Sequence, residues 1–153
     1  MQFFILLLVV TVVGWALPAR FEGRSVQDVM RRAMAVAFVF TGVSHLAMPD
    51  SFLVYFPGWS PFPEGIVYAT GVAEVMGGLS LFVRRYRYQV GLALAVYLVL
   101  IFPANVYAAV AGVDEALPGL VDASWYPWVR LLFQAIFVWW ALRSTAEPTA
   151  SGR

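Results

Sequence analysis

The chain has 153 residues, of which 61% are hydrophobic and 12% charged, and its net charge is +1. An ordinary soluble domain carries roughly 25% charged residues, so this composition predicts a surface facing lipid, and the long apolar runs leave no room for a separate soluble enzyme domain. There is no cysteine and a single histidine, His45, which excludes disulfides, thiolate metal sites and dithiol redox chemistry and argues against bis-histidine haem or a multi-histidine metal site.

Residues 1–17 (MQFFILLLVVTVVGWAL) form the first apolar run. It has neither a basic n-region nor an A-x-A cleavage site, so it is read as a retained anchor helix near the lower length limit for a span. Residues 18–32 are polar and arginine-rich, opened by Pro18, and Ser25 is a natural N-cap for a second helix over 25–48. The stretch 49–63 (PDSFLVYFPGWSPFP) is too proline-rich for a helix and too apolar for a freely solvated loop, and is expected to fold onto the membrane interface. A third helix is predicted over 64–83, a tight hairpin at Arg84-Arg85-Tyr86-Arg87, and a fourth helix over 88–112. An acidic connector, 113–125, leads to a fifth helix over 126–142, and the small polar residues of 144–153 read as a disordered cytoplasmic tail. The expected architecture is therefore all-α: one transmembrane domain, residues 1–143, with five spans.

Every basic residue is an arginine, which reads as the codon bias of a high-GC bacterium. Apart from Arg130, the arginines fall in 18–32, in 84–87 or in the tail, while the connectors 49–63 and 113–125 carry only acids. Cytoplasmic loops retain positive charge, so the N-terminus is placed outside and the C-terminus inside a bacterial cytoplasmic membrane. Trp59, Trp125 and Trp128 fall at the expected outer interface, and Trp15, Trp139 and Trp140 toward the inner one. The net charge of +1 gives no ground for a nucleic-acid partner.

Burying an ionisable group in hydrocarbon costs roughly 2.5–3.5 kcal/mol even on lenient scales, so the few polar residues inside the spans stand out. They are His45, Glu74, Asn105, Arg130 and Gln134. At a rise of about 1.5 Å per residue all five fall between the outer interface and mid-membrane, which predicts one polar cluster open to the outside. Gly71 and Gly78 flank Glu74 and permit close backbone approach, with Tyr68 near the same end. Arg130 is the cation expected to pair with Glu74, directly or through water or Gln134. Pro103 lies inside the fourth helix and is expected to free the Val99 carbonyl and open a small polar pocket. Two readings of the cluster stand: structural glue fixing helix register, or a ligand-binding or proton-handling site. His45, at a helix end, also has a bland reading as a bridge to the proline-rich loop. The arginine run at 84–87 reads as a topology signal, with anionic-lipid binding as an addition.

The segments GVSHLAMP (42–49), VYATGVAEVMGG (67–78), FPANVYAA (102–109) and WVRLLFQ (128–134), with the proline-rich loop between the first two, resemble the DoxX-like membrane protein family over about 42–140. The resemblance implies a four-helix core to which the first run is an added anchor, with matching positions at His45, Pro49, Glu74, Asn105, Arg130 and Gln134. Leu46 stands where the family commonly has phenylalanine, and Leu132 where it often has proline. Members of that family look like subunits of a thiosulfate to quinone oxidoreductase, partners in oxidative-stress complexes, or distant cargo receptors and chaperones, and fold alone does not choose among them. The first expectation is a non-catalytic subunit or chaperone holding a protein partner, a second copy or a small amphipathic ligand, with no cofactor. The alternative is a redox subunit binding a quinone, in which His45, Glu74 or Arg130 would bond the quinone oxygens.

Overall fold

A computed structural model describes residues 7–12, 25–112 and 126–146. Among these the chain is all-helical, with no strand. A helical segment over residues 7–12, α1, is followed by α2 (Val26–Ala47), α3 (Asp50–Leu53), α4 (Pro63–Ser80), α5 (Arg87–Val110) and α6 (Tyr126–Thr145), and one 3-10 turn, Arg84–Tyr86, leads into α5. The rest of the proposed first span, residues 18–24, the 113–125 connector and residues 147–153 lie outside the described residues, and with them Trp15 and Trp125.

Local chemistry accounts for the helix ends. Ser25 is extended at φ −75° and its hydroxyl accepts from the Asp28 amide at 3.2 Å, capping α2 as its sequence position suggests. Asp28 is pushed toward the neutral form by burial, but hydrogen bonds from Arg31 and Ser25, with the charge of Arg31, outweigh this and hold its carboxyl below the usual aspartate value. Proline at the first position of α4 loses no intrahelical bond, so the helix starts at Pro63, with Phe62 before it in the left-handed region at φ 52°. Beyond α5, Gly112 takes φ +67°, a conformation that stops a helix at little cost only in glycine or asparagine.

Two sequence expectations are corrected here. The 49–63 stretch does hold a short helix, α3, because Pro49 sits at its N-cap, where the missing N–H is not needed. The polar residues Ser144 and Thr145, expected to open a disordered tail, are helical and buried, at 1% and 5% exposure, and both hydroxyls bond the Ala141 carbonyl. Thr145 lies so close over Gly91 that a side chain there would overlap it, which ties the end of α6 to the start of α5.

Packing is antiparallel in two main pairs, α2 with α4 and α5 with α6, and α2 also touches α6. Between α2 and α4 the backbones nearly touch: a Cβ on Gly42 would lie 2.6 Å from the Gly71 carbonyl oxygen, and one on Gly78 would lie 2.8 Å from that of Ala35. The apolar core joins Ala33, Met34 and Phe38 of α2 to Leu94 and Leu98 of α5, Phe137 and Ala141 of α6, and Leu7 of α1. At the far end the Trp140 indole donates to the Met30 carbonyl at 3.0 Å, fastening α6 to the start of α2.

Of the described helices, the segment Arg84–Val110 is long and apolar enough to cross a membrane, with a mean hydropathy of 2.0. The five expected spans reduce, by length and apolarity, to this one among the described residues. The reason is visible in the sequence. Arg31, Arg32 and His45 in α2, Glu64 and Glu74 in α4, and Arg130, Gln134 and Arg143 in α6 lower the mean of their helices.

Candidate functional site

The five predicted site residues lie toward the end of the bundle that carries α3, and they fall into two arms. In the first, Glu74 is 5% exposed on the glycine-lined face of α4. Tyr97 of α5 donates its hydroxyl to Glu74 Oε1 at 2.6 Å, and His45 of α2 brings Nδ1 to 3.2 Å from Oε2. That second approach is at ion-pair distance but outside hydrogen-bond alignment, and neither buried atom has another hydrogen-bond partner. Phe52 of α3 closes over His45, ring centroids 3.9 Å apart and edge-on.

The second arm starts from Arg130 of α6. One guanidinium nitrogen donates to the Tyr55 hydroxyl at 2.8 Å, the other to Asn105 Oδ1 of α5, and the charged carbon lies 4.7 Å from the centre of the Tyr55 ring. A cation over an aromatic face is itself attractive, more so out of water. Asn105 in turn donates to Gln134 Oε1 at 3.3 Å, and Gln134, 8% exposed, donates to the backbone carbonyl of Leu98. The two arms meet at α5, where Tyr97 and Leu98 are neighbours, and just beyond α3, where Tyr55 of the following loop stands 6.5 Å from Phe52.

All five residues thus engage other helices, and His45 meets Phe52 of the proline-rich stretch, the contact expected at its helix end, but the direct pairing of Glu74 with Arg130 is absent. Glu74 and Arg130 form no ion pair: the acid is held by a phenol and an imidazole, the base by a phenol and an amide. α5 continues unbroken through Pro103, and the side-chain bond onto this turn goes to Leu98 rather than Val99. Gly71 and Gly78 do admit the close approach, whereas Tyr68 is exposed, on a face of α4 other than that of Glu74. Tyr55 and Tyr97 were missed. Both contribute one hydroxyl on an otherwise apolar ring, which hydropathy counts as aromatic. Position could have found Tyr97, since it precedes Asn105 by eight residues and so shares its face of the helix.

A carboxylate flanked by an imidazole and a phenol can share or pass a proton, and the guanidinium with its amides can hold a carbonyl or carboxylate oxygen. Among the described residues no group of three or more His, Asp or Glu gathers as a metal site.

Residues 34–145 match a family described as "Domain of unknown function (DUF8561)". No curated protein and no solved structure matches the chain. The matched range covers most of the sequence and includes both polar arms from His45 to Gln134, and the chain belongs to this DUF8561 family.

Proposed function

We propose that this chain is a multi-pass, DoxX-like protein of the bacterial cytoplasmic membrane, acting as a non-catalytic subunit or chaperone. In this reading it holds a protein partner or a small amphipathic ligand at the end of the bundle bearing α3. Support for the membrane comes from where its apolar surface lies: only 28% of the spanning window in Arg84–Val110 is buried, and Leu92, Val96, Val99 and Leu100 face outward. The core helix of a soluble protein would be mostly covered, and an exposed apolar face this long needs lipid or protein against it. Charge agrees with this. The start of α2, the α4–α5 hairpin and the end of α6 share one end of the antiparallel helices and carry Arg31, Arg32, Arg84, Arg85, Arg87 and Arg143. That end is taken as cytoplasmic, with the first two turns of α2 projecting beyond the bilayer. A sodium carbonate wash tests this part: the chain stays with the membrane pellet, and its release would end the proposal.

The observation that carries the functional half is that the polar side chains mostly bond one another across helices. Such a network fixes the bundle and presents α3 and its aromatic neighbours, with Trp59 and Phe62 at 83% and 85% exposure, as a docking face at the outer interface. The unaligned His45 and Glu74 atoms favour a second reading, a quinone site in which these two groups meet a quinone oxygen, electrons arriving from another protein. Native mass spectrometry of the full chain in detergent separates the two. A bound protein partner without a small molecule supports the subunit, and a stoichiometric quinone lost in a Glu74→Gln, His45→Gln variant replaces it with the redox reading.

A further inference from the structure

On the outside of the α2–α4 pair lies a wholly apolar groove of about 430 Å³, lined by Val36, Val39, Phe40 and Val43 of α2 with Leu79 of α4 and Phe82 of the turn after it. The volume is within the range of about 300–1,000 Å³ that small-molecule sites occupy. The groove exists because Gly78 brings α4 against the Ala35 carbonyl, leaving two rows of exposed aliphatic and aromatic side chains with a trough between them.

At its arginine-bearing end the groove runs into a concentration of positive charge among the described residues. Arg32 is exposed one helical turn before Val36, on the same face, and Arg84 and Arg85 follow Phe82 by two and three residues and are exposed. Arg87 is near enough to Arg31, Arg32 and Arg84 for their charges to act on it, with Asp28 opposing them among the described residues. That carboxylate is already taken, because Asp28 pairs with Arg31 one turn along α2. The Arg87 Nε atom is buried with no hydrogen-bond partner. Guanidinium groups are the side chains best shaped for phosphate oxygens, and a buried donor without an acceptor is costly.

We propose that one anionic phospholipid occupies this position, an acyl chain in the Val36–Phe82 groove and its phosphate among Arg32, Arg84 and Arg87. The inference rests on the membrane reading above and adds to it a specific lipid-headgroup site. A second copy of the chain could fill the apolar trough but would bring the same arginines toward these, whereas an anionic lipid supplies a negative charge and an apolar tail together.

The test uses the full chain in nanodiscs or mild detergent, offered phosphatidylglycerol and phosphatidylcholine with identical acyl chains, and retention is read by native mass spectrometry. Retention of phosphatidylglycerol exceeds that of phosphatidylcholine by about tenfold, and each of Arg32→Gln and Arg84→Gln, exposed positions that leave folding intact, lowers that ratio by about fivefold. Val39→Trp fills the groove with every arginine in place and removes the lipid, while circular dichroism confirms that the helices persist. Millimolar inorganic phosphate does not displace the lipid. Equal retention of the two headgroups, a preference that survives both arginine variants, or displacement by phosphate alone overturns the proposal. So does a lipid-free dimer that Val39→Trp dissociates. A chain that resists the carbonate wash but shows no headgroup preference loses this site and keeps the membrane reading; a chain washed off the membrane loses the membrane reading first.

Discussion

The α2–α4 and α5–α6 pairs solve the same problem, holding two antiparallel helices together, by different means. α2 and α4 come within contact of each other's backbones at Gly42, Gly71 and Gly78, and almost nothing but shape joins them until Glu74 reaches His45. α5 and α6 meet closely at one end, where Thr145 lies on Gly91, and along the rest of the pair are joined by amides: Asn105 to Gln134, Gln134 to the Leu98 carbonyl, and Arg130 to Asn105. The first contact is steep, since any added atom meets backbone that cannot move aside. The second is graded, because each hydrogen bond in a membrane contributes only about 0.6 kcal/mol on average. Losing one bond should therefore cost less than adding one methyl group to the other pair.

The strongest challenge to that contrast is Gly42→Val. It places a branched side chain where even a Cβ would lie 2.6 Å from the Gly71 carbonyl oxygen, and about 3 kcal/mol of stability is expected to go. Denaturation in a titrated detergent measures it, and a loss under about 1 kcal/mol would mean that the pair is not so closely packed. Arg130→Met comes next. It leaves the Asn105 oxygen and the Tyr55 hydroxyl without their donor, and a loss of about 2 kcal/mol is expected by the same titration. Glu74→Gln sharpens the picture from the other side, because an amide oxygen can still accept from Tyr97. The expected loss is about 1 kcal/mol or less, and a larger one would show that the carboxylate charge itself is needed. Ser25→Ala removes the α2 cap and should cost about 1 kcal/mol, read as a lower midpoint of thermal unfolding. The smallest effect is on acid stability. The Asp28 carboxyl titrates below its unfolded value of 3.8, so its contribution is present above that pH and fades as pH falls through the lower folded value. Asp28→Asn should flatten that part of the stability profile.

Much of the helical framework could be read from the sequence because its signals are local. Ser25, Pro63 and Gly112 mark helix ends by their own backbone chemistry, and the described helices fall within a few residues of the apolar runs. The site residues were equally visible one by one, since an acid, an arginine and two amides are conspicuous among aliphatic neighbours. Their partners were not. Pairing Glu74 with Arg130 follows from charge alone, whereas the packed bundle lets a phenol from α5 reach the acid first, and a tyrosine from the loop before α4 take the arginine. Hydropathy also misjudged Ser144 and Thr145, because a small hydroxyl can be satisfied by its own helix and then buried as if apolar.

Thr145 resting on Gly91 has a practical consequence for anyone attaching a reporter to this chain. The apolar sequence stops at Leu142, and a fusion joined there would look safe from composition, yet it would remove the two residues that seal the start of α5. A purification handle or fluorescent protein belongs beyond Ala146, which keeps the buried Ser144 and Thr145 in place.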